Sequence, residues 1–109
     1  MSSFGLTDSE QEMIRAVLRQ HAGITEAKIF GSRAKGNFQP NSDIDLALWG
    51  NLSVSAIATI TGELEELPLP YTFDVQAYDA IRHQPLREHI ERVGQTFYTQ
   101  SVEGAVAKK

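Results

Sequence analysis

The sequence predicts one small α/β domain in which helices pack on a sheet, the two kinds of element alternating along the chain. Three observations lead there. At 109 residues the chain has the length of a single domain, enough to bury about 65% of the surface its unfolded form exposes. Apolar residues recur at helical spacing in some stretches and in steps of two in others. Breakers separate the stretches, with Gly23, Gly50-Asn51, Pro68, Pro70 and Gly94 at the joints.

The elements follow in order. Thr7-Asp8-Ser9-Glu10 is a capping box, with Thr7 as N-cap and Glu10 reaching back. The helix it opens, over about 8–21, carries Met13, Ile14, Val17 and Leu18 on one face and stops at Gly23. Gln11 occupies the place of the apolar residue that would staple to Leu6. Lys28-Ile29-Phe30 reads as a short strand, Gly31 to Gly36 as a turn entering a short helix, and Asn37 to Ser42 as a polar loop. Asp43 to Trp49 is a strand. A second long helix, about 53–66, aligns Val54, Ile57, Ile60, Leu64 and Leu67, and Pro68 and Pro70 end it. Tyr71 to Tyr78 alternates, with Tyr71, Phe73, Val75 and Ala77 on one face and Thr72, Asp74, Gln76 and Tyr78 on the other. A last helix starts near Pro85 with Leu86, Ile90 and Val93 inward, and Thr96 to Thr99 forms the last strand. Residues 1–99 are thus the folded domain, and 100–109 a flexible tail.

Composition narrows the function classes. With 41% hydrophobic and 22% charged residues the chain has the makeup of a globular domain, which excludes disorder as its default. No apolar run approaches the ~20 residues of a membrane span, and Met1 to Gly5 lacks the basic and apolar regions of a secretory leader. Zero cysteines exclude disulfides, zinc–thiolate sites and a thiol nucleophile, and with them favour the cytoplasm. A net charge of −4 argues against an extended nucleic-acid surface but leaves room for a local phosphate site.

The strand Asp43-Ile44-Asp45-Leu46-Ala47-Leu48 is the informative segment. Period two sends Ile44, Leu46 and Leu48 to one face and Asp43 and Asp45 to the other, their Cα atoms about 7 Å apart. Alone, such a pair reads as a solvated strand end. Asp74 adds a third carboxylate on the polar face of a neighbouring strand, flanked by apolar Phe73 and Val75. No basic residue in these strands can neutralise them, and hard divalent cations such as Mg²⁺ favour such an oxygen-rich setting. Upstream, Gly31 lets a phosphate approach the backbone, and Ser32 offers a hydroxyl and an N–H. Arg33 and Lys35 add positive charge there. His21, His83 and His89 form no metal-ligand spacing, and Trp49 reads as packing.

Gly31-Ser32, ten residues, then Asp43-x-Asp45, then a third Asp in an apolar strand resembles the nucleotidyltransferase superfamily that includes DNA polymerase β. The words Gly31-Ser32-Arg33-Ala34-Lys35-Gly36 and Ser42-Asp43-Ile44-Asp45-Leu46 look most like its minimal nucleotidyltransferases, single-domain prokaryotic proteins. The resemblance covers roughly residues 7–99. It implies a palm-like α+β fold with helices on a small mixed sheet. It also implies that Asp43, Asp45 and Asp74 are catalytic and bind two Mg²⁺ ions, with Gly31, Ser32 and Arg33 on the nucleotide, ATP being the substrate. For the minimal family it implies a helical HEPN-type toxin as partner in a hetero-oligomer, which the nucleotidyltransferase neutralises by moving AMP to a tyrosine. In a second reading the protein is a nucleotide-binding antitoxin that blocks its partner by contact, and in a third a purely structural domain. The third leaves the carboxylate cluster unexplained.

Overall fold

The first helix begins as its sequence dictates. The Glu10 amide donates to Thr7 Oγ1 (3.0 Å), and the Thr7 amide donates to Glu10 Oε1 (2.9 Å). Where an apolar staple is missing, Gln11 is buried instead and its Nε2 donates to the Leu6 carbonyl at 3.1 Å, a polar version of the same joint. The computed structural model describes residues 4–39 and 42–100. Within them the order is α1 (Asp8–Arg19), β1 (Ile24–Phe30), α2 (Ser32–Lys35), β2 (Ile44–Gly50), α3 (Val54–Glu65), β3 (Phe73–Ala77), a 3₁₀ turn (Tyr78–Ala80), α4 (Gln84–Val93) and β4 (Gln95–Thr99).

The four strands form one mixed sheet in the order β3-β2-β1-β4. β1 pairs antiparallel with β2 and β4, and β2 pairs parallel with β3 through the α3 crossover. One face carries the larger core, where Ile14 and Leu18 of α1 and Ile60 and Leu64 of α3 meet Ile29, Ile44, Leu46 and Leu48, all fully buried. The other face carries a smaller core in which Ile90 of α4 packs with Phe30, Ala47, Tyr78 and Ile81.

The expected element order is observed, with local differences. β1 begins at Ile24, earlier than the Lys28 expected, because a register shift against β2 between Ile24 and Glu26 breaks the alternation and leaves Ile24, Ala27 and Ile29 as the inward residues. α1 ends at Arg19 rather than near 21, and β2 starts at Ile44 rather than Asp43. Val54 does not join the α3 stripe, being 88% exposed. At about 100° per residue, the steps from Ile60 back to Ile57 and Val54 drift ~120° round the helix, out of the buried sector. Tyr78 is no strand residue but opens the 3₁₀ turn and is buried against α4. Gln100 still pairs with the sheet, its amide donating to the Thr25 carbonyl (2.9 Å) and its side chain to that of Ala22 (2.7 Å). The rest of the expected tail, 101–109, lies outside the described residues, as do positions 40 and 41 of the polar loop. Among the described residues no helix is long and apolar enough to cross a membrane.

Candidate functional site

The parallel register between β2 and β3 sets Asp45 directly beside Asp74. On its other side Asp45 pairs with Phe30 of β1. The row Phe30–Asp45–Asp74 therefore runs across three strands on the α4 face, at the end where β1 turns into α2. Adjacent strands lie about 4.8 Å apart, so the two carboxylates leave the sheet side by side.

Asp43 stands two residues upstream, just before β2, exposed on the same side by the period of the strand. Its Oδ1 accepts a hydrogen bond from the Thr72 hydroxyl. The Thr72 carbonyl in turn accepts from the Ile44 amide at 2.9 Å, extending the ladder past the end of β3. Asp74 is exposed, and its Oδ1 accepts from Gln76 Nε2 at 3.2 Å. Asp45 is half-buried, and its carboxyl is pushed up from 3.8 to about 6. Burial is the largest cause, followed by the Asp74 and Asp43 carboxylates, while the Arg33 guanidinium pulls the other way.

The Gly31-Ser32 turn meets the strand carboxylates. Gly31 caps α2 in a left-handed conformation, φ 76°, and a Cβ there would overlap Asp45 Oδ2 and lie 3.1 Å from its Cγ. Glycine thus lets the turn lie directly against the Asp45 carboxyl, with half-buried Ser32 next to it at the first position of α2.

Arg33 is placed differently from its expectation as a nucleotide contact. It is 2% exposed. Its Nε and Nη2 donate to the Ser42 carbonyl (3.2 and 2.9 Å) and its Nη1 to that of Phe4 (2.8 Å). Its guanidinium also lies 4.8 Å from the Tyr71 ring centroid and 5.2 Å from that of Phe38. A basic residue beside a phosphate-type turn reads from sequence as a ligand contact; here it is part of the interior.

Among the described residues no three His, Asp or Glu side chains draw together closely enough to enclose a cation by themselves. The donor set nonetheless suits Mg²⁺, which is usually held by one or two carboxylates and completed by water and substrate phosphates. The histidines sit elsewhere. His21 Nε2 lies 2.7 Å from Glu63 Oε1, His89 meets the Phe30 ring edge-on, and His83 stands at the N-cap position of α4 with no side-chain cap bond. Trp49 stacks on Tyr78 at 4.6 Å between ring centroids. The residue that sequence reasoning passed over is Thr72. The alternation that set Asp74 on the polar face had set Thr72 there too, and that was the signal.

Comparison with known proteins follows the same line. The family described as Polymerase beta, Nucleotidyltransferase matches residues 12–103. Among solved structures, a toxin–antitoxin complex with AMP-PNP is similar with a TM-score of 0.71 at 20% identity, over 88% of this chain and 78% of that one. The MntA–HepT toxin–antitoxin gives 0.67 at 17% identity, over 92% and 79%. A tri-AMPylated Shewanella oneidensis HEPN toxin in complex with MNT antitoxin gives 0.65 at 17%, over 90% and 76%. At these identities the likeness is one of fold. No curated protein matches the sequence.

Proposed function

The chain belongs to the polymerase beta nucleotidyltransferase family, and from that premise we propose that it moves AMP from ATP to a tyrosine hydroxyl of a HEPN-type toxin, acting as the antitoxin of that partner in the cytoplasm. The observation that carries this reading is the junction of the two motif halves, where Asp45 stands beside Asp74 with the Gly31 backbone against its carboxyl. Solved structures of like fold, one with AMP-PNP and one with an AMPylated HEPN toxin, support the choice of nucleotide and acceptor.

Asp43, Asp45 and Asp74 would hold Mg²⁺, two ions in this reading, which when bound would neutralise charge on the triphosphate and ease ionisation of the attacking hydroxyl. Gly31 and Ser32 receive the β- and γ-phosphates, the glycine by leaving the backbone bare and the serine by donating its hydroxyl. The tyrosine oxygen forms a bond to the α-phosphorus in line with the departing oxygen, and pyrophosphate leaves. Asp74, exposed on the edge strand where a second protein can reach it, takes up the hydroxyl proton. No protein nucleophile is used.

The test is the intact mass of a co-expressed HEPN partner, with the wild-type chain and with Asp45→Asn. A gain of one or more AMP units confined to the wild type supports the transferase. Identical partner masses with equal suppression of the toxin would establish the contact-only antitoxin instead.

A further inference from the structure

Arg33 is the largest fully buried side chain among the described residues and carries a charge that is costly to desolvate. Its partners account for its position. Two of its nitrogens donate to one carbonyl, that of Ser42, the residue before Asp43. A third donates to Phe4, in the segment leading to α1. The guanidinium also lies against the Tyr71 ring, the residue before Thr72, whose hydroxyl and carbonyl hold Asp43 and the Ile44 amide. Tyr71 is anchored in turn, its hydroxyl 3.4 Å from both carboxylate oxygens of Glu10, the capping residue of α1. The Ser42 loop is closed from its other end as well: the Ser42 amide donates to the Gln39 carbonyl (3.0 Å), and the Gln39 amide to Ser42 Oγ (2.8 Å).

Arg33 therefore joins four pieces of chain: the Gly31-Ser32 turn on its own backbone, the Phe4 segment leading to α1, the Ser42-Asp43 entry into β2, and the Tyr71-Thr72 entry into β3. We infer that Arg33 is a positioning residue that sets the Asp43 and Asp45 carboxylates against the Gly31-Ser32 turn, and that it makes no contact with the nucleotide. This rests on the transferase reading for its kinetic consequence but not for its structural one. A planar guanidinium suits the task because its fork spans two carbonyls while its faces stack on rings, which an ammonium cannot do.

The experiment compares wild type, Arg33→Met and Arg33→Lys in the full chain. Methionine keeps volume between the rings without donors, and lysine keeps the charge with a single donor group, so a folded variant remains if one of them fails. Amide hydrogen exchange is read at Ser42 and Ile44, both of which have a stated acceptor, and in α3 as a distant reference. Transfer to the partner is resolved into kcat and the KM for ATP. Loss of charge-assisted hydrogen bonds predicts exchange at Ser42 and Ile44 faster by tenfold or more, on the order of their usual worth, with α3 unchanged. It also predicts a fall in kcat of about tenfold or more with the KM for ATP within twofold, and a smaller fall for lysine. A raised KM with kcat retained makes Arg33 a nucleotide contact and overturns the inference. Exchange accelerated equally in α3 makes it a general stability residue and does the same. If the wild-type chain transfers no nucleotide, the transferase reading fails, while the exchange measurement still decides the role of Arg33.

Discussion

Replacing Asp45 by asparagine should make the metal-free chain more stable while it removes the proposed activity. The Asp45 carboxyl titrates near 6 in the fold and near 3.8 without it. Between those values the folded chain binds more protons than the unfolded one, so stability falls as pH rises from about 4 to about 6 and is level above. Taken at face value, roughly two units at ~1.36 kcal/mol each come to about 3 kcal/mol against the ionised form. Asp45 is half-exposed, and solvent screening reduces this to about 1 kcal/mol. In a domain of this size that corresponds to a melting-temperature rise of about 4–8 °C for Asp45→Asn at pH 7.5. The assay is thermal denaturation of both proteins from pH 4 to 8 in chelator. The gap should open between pH 4 and 6, because the carboxyl that the substitution removes ionises over that range in the folded chain. A variant less stable than wild type at pH 7.5, or a gap that ignores pH, would refute the reasoning. Mg²⁺ added afterwards should raise the melting temperature of the wild type and leave the variant nearly unmoved, since a ligand stabilises only the state that binds it.

Three further outcomes follow from neighbouring residues. Gly31→Ala combines a disfavoured left-handed backbone with overlap on the Asp45 carboxyl; it should cost about 1–3 kcal/mol in denaturant unfolding and displace Asp45 as well. Ser32→Ala should weaken ATP binding roughly tenfold or more, the worth of about 1.5–3 kcal/mol for a hydroxyl bonded to a charged acceptor, as calorimetry can read; unchanged affinity would leave Ser32 a turn residue. Thr7→Ala removes the hydroxyl that accepts from the Glu10 amide and should lower stability by about 1 kcal/mol without changing the affinity for ATP.

These residues divide by how far their role could be read without coordinates. Thr7 and Glu10 act across three positions of chain, so a local pattern reveals them and the structure matches it. The Asp43–Asp45 pair is equally local, because the pleat alone puts both on one face. The register that sets Asp74 beside Asp45 is not local. A one-residue slip of β3 would have turned Asp74 to the opposite face, among the apolar residues under α3. What excludes the slip is Phe73 and Val75, which must face the larger core that Ile44, Leu46 and Leu48 line. Burial on one face thus fixes the chemistry of the other.

Arg33 and Tyr78 show where such reasoning stops. Both sit in sequence contexts that suggest exposure: Arg33 in a polar turn, Tyr78 at the polar end of an alternating strand. Both are buried by contacts that no spacing rule contains. Arg33 meets carbonyls contributed by Phe4 and Ser42. Tyr78 lies between the Trp49 ring at 4.6 Å and the Arg87 guanidinium, whose carbon stands 4.4 Å from its ring centroid. The α4 face therefore has a core of its own, and its apolar cover runs from Trp49 and Tyr78 to Phe30. Asp45 lies just past that cover, next to Phe30 in the row. Half-burial there is the largest cause of the raised Asp45 carboxyl, with the neighbouring Asp74 and Asp43 charges adding to it. Burial dominates the Asp45 shift, so a variant that uncovers it, such as Phe30→Ala beside it in the row, should bring the Asp45 carboxyl back toward 3.8, as an NMR titration can read.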